Sequence, residues 1–313
     1  MARIGSSGKL LTIIIFHRDL LIFALYGAKI KAYRRSRRIV DIMMPPARRK
    51  EFSMGLWTLS HLYQIAPTFL ILGVLAVLAA KLFKNSPVST KYIPLQVIAV
   101  LLIVLEIGKQ ISAAKGGSYD LYALPFHFCS LFLFLLPFHA FYHGKYSYIT
   151  DTAAFACLAS LMLDMLLMPA VIYSASNIQN FFNGYRDFHT VAFHNLVIFY
   201  FMLTVAFKLY DFKPKRDAKI MSIFFGAYVV VASILAYSLK VNFHNLYRCN
   251  IAFLEEVRAN IVEAIGVFGS ILYVCIMFVL TILFTWGSYF LARFVIGSFT
   301  KQKSPAPEEQ TTA

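Results

Sequence analysis

Charge is scarce in this sequence: Asp, Glu, Lys and Arg make up 14% of its 313 residues, against about 25% in an ordinary soluble domain. Several chemistries also lack their signatures. There is no Gly-x-Ser-x-Gly elbow to present a serine nucleophile, no Gly-rich loop to cradle a phosphate and no Cys-x-x-Cys pair. No histidine is followed five positions later by an aspartate, so the His-x4-Asp arrangement of glycerolipid acyltransferases is missing. Phosphoryl transfer and dinucleotide chemistry are thereby left without support. Of the four cysteines, Cys129, Cys157 and Cys275 lie in apolar runs and Cys249 in a loop. A single loop cysteine has no loop partner, so no extracellular disulfide framework is implied.

What the chain has instead is apolar residues, 59% of the total. A soluble fold cannot hide so much, so lipid must be the solvent for much of it. A helix crosses the hydrocarbon core with roughly 20 apolar residues. That ruler gives an all-α polytopic bundle of about seven transmembrane helices: Trp57–Phe83, Tyr92–Ala113, Tyr122–Tyr142, Ile149–Tyr173, Phe188–Tyr210, Ala218–Lys240 and Ala264–Ile296. The expected organisation is an N-terminal segment over 1–53, a single membrane domain over 54–298 and a disordered tail over 299–313. No internal repeat is present. The expected location is the cell membrane.

Within the N-terminal segment, Leu10–Tyr26 is apolar but interrupted by His17, Arg18 and Asp19. Such groups are costly at mid-membrane, so the stretch reads as an interfacial amphipathic helix, with a paired eighth span as the alternative. It lacks a small-residue cleavage site. The basic run Lys29–Lys50 then reads as an anchor for anionic lipid headgroups. Nucleic acid is not the expected partner, because no aromatic-interleaved module accompanies the run. The run places the N-terminus inside. Lys208, Lys213, Lys215, Arg216 and Lys219, flanking the link between spans five and six, give the opposite orientation, which leaves the side of the C-terminus open.

Ionisable residues inside the spans are the functional candidates. Glu106 and Lys109, three apart, can pair on one helix face. Asp164 has no cation in its own span and must face the bundle interior or be protonated. His127, His139, His189 and His194 fall at membrane depth in two spans, with Cys129 beside His127. On a regular helix His127 and Cys129 are about 200° apart, and His189 and His194 about 140°. A base for a Cys129 nucleophile must then come from another helix, with at most one of His189 and His194 facing it. His139 and His143 read as a snorkelling interfacial pair.

Leu124-Pro125-Phe126-His127-Phe128-Cys129-Ser130-Leu131 resembles the Leu-Pro-x-His-x-Cys-x-Leu signature of the YwaF / transmembrane protein 164 family. Glu106, in the preceding span, is similar to a polar position of that family. The segment 188–197 looks like a second block, with His194 at the matching histidine. Asn242–Tyr247 is similar to a third block, though Leu246 separates Asn245 from Tyr247. The resemblance covers spans two to seven and implies a membrane-embedded acyl-chain enzyme. Cys129 would be the nucleophile that carries the acyl group as a thioester and His194 its general base. His127 would orient a headgroup or stabilise the oxyanion. Glu106 and Asn245 join His127 as substrate-binding positions, membrane phospholipids are the partners, and no cofactor is expected. Two other readings stay open. One is a zinc-dependent hydrolase using His127, His194 and Asp164. The other is a carrier, channel or sensor, for which no broken helices in paired repeats are visible.

Overall fold

The structure is a computed structural model that describes residues 59–115, 119–169, 172–249 and 252–301. The expected interfacial helix, the basic run and the end of the tail lie outside the described residues. Where described, the chain is helical, with no strand among those residues. The helices are α1 (Leu59–Leu82), α2 (Val88–Ala114), α3 (Phe132–Phe141), α4 (Ser147–Leu167), α5 (Ala175–Gln179), α6 (Tyr185–Ala206), α7 (Pro214–Leu239), α8 (Ala252–Ile265) and α9 (Val267–Lys301). Six of them, α1, α2, α4, α6, α7 and α9, are long and apolar enough to cross a membrane.

The third expected span is not a continuous helix. It runs through two 3-10 turns, Leu121–Ala123 and Phe128–Leu131, before α3 supplies ten helical residues. The cause is local. Pro125 has no N–H to continue a helical ladder and disfavours helical backbone at Leu124, which is extended with φ −56° and ψ 141°. His127 is extended too, with φ −70° and ψ 157°. The seventh expected span, Ala264–Ile296, is α9, which starts three residues later and runs on to Lys301. Gly266, at φ +60°, breaks the helix and leaves α8 as a separate 14-residue element before α9. A β-carbon at Gly269 would sit 2.5 Å from the carbonyl oxygen of Ile261, so α8 folds back closely on α9.

α4 lies at the centre. Every residue from Thr152 to Leu161 is buried, most of them Ala, Ser or Cys. In lipid there is little hydrophobic force between helices, and small side chains that let backbones approach supply the packing. α1, by contrast, leaves most of its apolar surface exposed, as a lipid-facing helix should. Consecutive segments alternate in direction. Tyr92 near the start of α2 meets His139 and His143, while Glu106 near the end of α2 meets His189 in the second turn of α6. One end of the bundle therefore carries residues 119–131, 172–184, 240–249 and 252–266; the other carries 83–87, 142–146 and 207–213.

That second end is tied by Asp217, whose residue surface is 0% exposed. Its carboxylate accepts hydrogen bonds from Tyr289 Oη on α9 at 2.5 Å, Tyr210 Oη at 2.9 Å, the Lys213 backbone N–H at 2.8 Å and Thr152 Oγ1 on α4 at 3.2 Å. Arg216 completes the shell at 2.9 Å. One carboxylate thus joins α4, α7, α9 and the 207–213 link. His139 is also a core residue, 1% exposed, with Nδ1 2.6 Å from Tyr200 Oη. It does not snorkel; the expected interfacial pair with His143 is corrected by its burial between α3 and α6.

Two outcomes follow from these contacts. Asp217→Ala, which strands several buried donors, is expected to cost about 3 kcal/mol or more, read as a lowered thermal midpoint in detergent. A midpoint unchanged from wild type would show that the donors find other partners. At the other end, Glu255 accepts the Cys249 N–H at 2.7 Å and pairs with Arg258, and the Arg258 guanidinium holds its carboxyl below the usual carboxylate range. A depressed carboxyl contributes stability above its unfolded pKa and loses it as pH falls through the folded value. The protection of the Cys249 amide, its exchange rate relative to the intrinsic rate at the same pH, should therefore fall only in acid, below the ordinary glutamate range; a fall in protection between pH 8 and 6 would contradict this.

Candidate active site

Breaking a helix at membrane depth frees carbonyls that lipid cannot satisfy. Here side chains from three elements take them up. Gln110 Nε2 on α2 donates to the Ala123 carbonyl at 2.9 Å. Tyr228 Oη on α7 donates to that of Phe126 at 3.2 Å. His127 Nε2 reaches back to that of Tyr122 at 3.0 Å. The expected 200° splay of His127 and Cys129 assumed a regular helix and does not apply to this segment. Both residues sit on a loop held in place by α2 and α7.

The loop between α7 and α8 closes over it. His244 and Asn245 are both left-handed, with φ of 48° and 57°, a region that Asn and His enter more readily than most residues. This tight reversal lays Phe243 edge-on against His127 (5.2 Å between centroids) and Phe126 (5.7 Å). It also stacks His244 on Phe128 at 5.4 Å and 23°. The Asn245 carbonyl accepts Tyr273 Oη at 2.7 Å, which fixes the turn to α9. His244 was not singled out from the sequence. Its only advance signal was its place in the Asn242–Tyr247 block.

Fixed acceptors determine where several ring protons sit. The Tyr122 carbonyl only accepts, so His127 carries its proton on Nε2 and offers Nδ1 as a lone pair. Thr281 Oγ1 donates to the Met277 carbonyl and so accepts from His244 Nε2 at 2.9 Å. In α6, His194 Nδ1 donates to the Thr190 carbonyl at 2.6 Å. Its Nε2 is left as a lone pair, fully buried and without a partner. His189 points to a different neighbour, Glu106 Oε2 at 3.3 Å, and is not aligned for a hydrogen bond.

Glu106 is the centre of a second network. Lys109 Nζ lies 2.7 Å away and Gln110 donates to the same oxygen; Tyr119 in turn donates to Gln110. Across the α2–α6 contact, Tyr185 Oη donates to the Leu105 carbonyl at 2.9 Å. That approach depends on Gly108, because a β-carbon there would lie 2.0 Å from the Tyr185 oxygen. The expected Glu106–Lys109 pair is formed, and Glu106 is engaged with protein groups on both oxygens.

Cys129 is half-buried and free. Asp164 and Lys109 lie within electrostatic range of its thiol, and Cys157 and Tyr228 within range of one or both cysteines. Asp164 and Cys157, seven apart on α4, share one face. That face of α4 therefore lies within electrostatic range of Cys129. His127 lies within range of Lys109, Glu106 and Arg186, and His194 within range of His189 and Lys109. No hydrogen bond joins Cys129 to a histidine among the described residues. His127, His194 and Asp164 do not meet as a metal-binding group, and among the described residues no three His, Cys, Asp or Glu side chains do.

The model of the TMEM164 family matches residues 56–290. The chain belongs to the TMEM164 family. No curated protein and no solved structure matches it. The TMEM164-family region takes in the broken span, the Glu106 network, α6 and the 242–249 loop, and it leaves the basic run outside.

The Glu106 network makes a measurable claim. Glu106→Ala strands Lys109 inside the span and is expected to destabilise by about 3 kcal/mol, whereas Glu106→Ala with Lys109→Ala should recover most of that loss. A double-mutant cycle in detergent reads the coupling; a coupling near zero would mean that Lys109 reaches solvent unaided.

Proposed function

We infer that this member of the TMEM164 family is a phospholipid acyltransferase or acyl hydrolase that works by covalent catalysis on Cys129. The observation that carries the reading is the buried, unpartnered Nε2 of His194, with its lone pair set by the Thr190 carbonyl. A polar atom stranded in a buried site is costly, and a bound substrate or a proton in transit gives it a partner. The broken third span supports the same reading, since it offers a cysteine from irregular backbone rather than from the packed side of a helix. The Cys129 N–H, at the start of its 3-10 turn, has no backbone partner among the described residues and is directed at its own sulfur, so in this scheme it is a donor beside the atom where an oxyanion would develop.

In the proposed reaction His194 Nε2 takes the Cys129 proton, directly or through a water, and the thiolate attacks the ester carbonyl of a phospholipid. The ester C–O bond breaks, and the leaving lysophospholipid alkoxide takes the proton from His194. The acyl group remains on Cys129 as a thioester. A hydroxyl of an acceptor lipid, or water, then attacks the thioester and gives its proton through His194 back to sulfur. Contacts of this kind tighten when substrate binds. The neutral tautomer of His127 leaves it only an acceptor, which suits a hydroxyl or ammonium of a headgroup better than an oxyanion. Arg186, exposed over Tyr122 and 3.5 Å from Asp120, suits the headgroup phosphate. Glu106 acts in this scheme by holding Lys109 and His189, and Asn245 by shaping the loop.

A carrier gains little from the broken span, because no second broken crossing pairs with it among the described residues. The test is incubation of purified protein with a phospholipid carrying a labelled acyl chain, with and without a lysolipid acceptor. Label should move to the acceptor or to free fatty acid. Cys129→Ala should abolish movement, His194→Gln should slow it by about a hundredfold or more, and intact mass should reveal a hydroxylamine-labile acyl adduct on the wild type. Full activity in Cys129→Ala would end the covalent mechanism. No movement from folded wild type across several headgroups would favour transport or sensing.

A further inference from the structure

At the end of the bundle away from Cys129, a cavity of about 300 Å³ opens between the end of α6, the 207–213 link and the end of α9. Phe155, Tyr210, Phe212 and Ile296 form apolar walls, and Lys208 and Arg293 supply the charge. No acidic residue lines it. Nearby cations are already neutralised: Lys213 pairs with Asp211 at 2.9 Å and Arg216 with Asp217. Among the described residues, Lys208 and Arg293 have no ion-pair partner. Two unpaired cations on one aromatic-walled cavity describe a site for an anion with an apolar body.

The position selects the kind of anion. Lys208 lies two residues beyond the last residue of α6, and Arg293 lies within the last two turns of the α9 crossing, which extends to Ser298. This is where spans end and headgroups begin. Lys208 also holds a left-handed backbone, φ 56°, where glycine is the favoured residue. Its backbone closes α6 through hydrogen bonds that any residue can make, from the Lys208 N–H to the Val205 carbonyl and from the Leu209 N–H to that of Thr204. Helix closure therefore does not account for a lysine at this position.

We propose that this cavity binds the phosphate headgroup of an anionic membrane lipid, with Lys208 and Arg293 on the phosphate and the ring-lined wall against the glycerol and acyl stem. The site is independent of the acyl chemistry proposed for Cys129. Binding here ties α6 to α9 beside the Asp217 hub, so it should read as stabilisation of the bundle.

The full-length protein in a neutral detergent is titrated with dioleoyl-phosphatidylglycerol, with dioleoyl-phosphatidylcholine and with sodium phosphate, following the thermal midpoint and lipid retention by native mass spectrometry. Phosphatidylglycerol should raise the wild-type midpoint and be retained, and the other two should not. Lys208→Gly and Arg293→Gln should each weaken apparent affinity for phosphatidylglycerol by about tenfold. Lys208→Gly should keep its lipid-free midpoint, because glycine accepts the left-handed backbone. Cys129→Ala should bind as wild type does. Binding to the basic run Lys29–Lys50 is common to all variants and cancels in the comparison. Equal affinity in the two charge variants and wild type, an equal response to phosphatidylcholine, or full stabilisation by sodium phosphate alone would overturn the proposal.

Discussion

Every backbone carbonyl freed inside a membrane needs a protein partner, and the hydrogen bonds that meet this need around residues 120–130 organise one end of the molecule. Gln110 and Tyr228 supply them from α2 and α7, and His127 from within the loop. Because Gln110 is also bonded to Glu106, the support for the irregular span is continuous with the network that binds α2 to α6. The segment that carries Cys129 is thus held by a chain of polar contacts across three elements. Such a network fixes geometry well when every member is satisfied. Among the described residues, His194 Nε2, His189 Nε2 and the Asp164 carboxyl make no hydrogen bond and stand out against it.

The two ends of the bundle solve the burial of charge differently. At the Asp217 end, one carboxylate collects donors from α4, α7, α9 and a link, leaving little capacity for chemistry. At the Cys129 end the ionisable groups are more numerous and share fewer contacts. That contrast is what separates a structural polar cluster from a candidate site, and neither burial nor residue type alone would have drawn it.

Length and hydropathy made the crossings legible, since about 20 apolar residues have few other uses. They did not reveal that the third is broken, because hydropathy does not distinguish a 3-10 turn from a regular helix. The signal for that departure was present as Pro125, and Gly266 marks where the seventh begins. The Glu106–Lys109 pair was readable because it lies within one helix turn. The stacking of His244 on Phe128 was not, since the two residues are far apart in sequence and meet only through the left-handed pair His244–Asn245. Asp217 was hidden among flanking lysines that drew attention to orientation instead. The burial of His139 depends on Tyr200, on another helix.

The burial of α4 on all sides also bears on biogenesis. Its apolar character is the weakest of the crossings, equalled only by α6, with a mean hydropathy of 1.5 for each against 2.6 for α9. Its polar residues include Thr152, Ser160 and Asp164, two of which depend on contacts made within the bundle or within α4 itself. A segment of this kind gains little from lipid as a lone helix. It emerges from the ribosome before α6, α7 and α9, the partners that later enclose it. Its residence in the bilayer is therefore secured late, by helix association, and the insertion machinery must shelter it until the C-terminal half of the chain arrives.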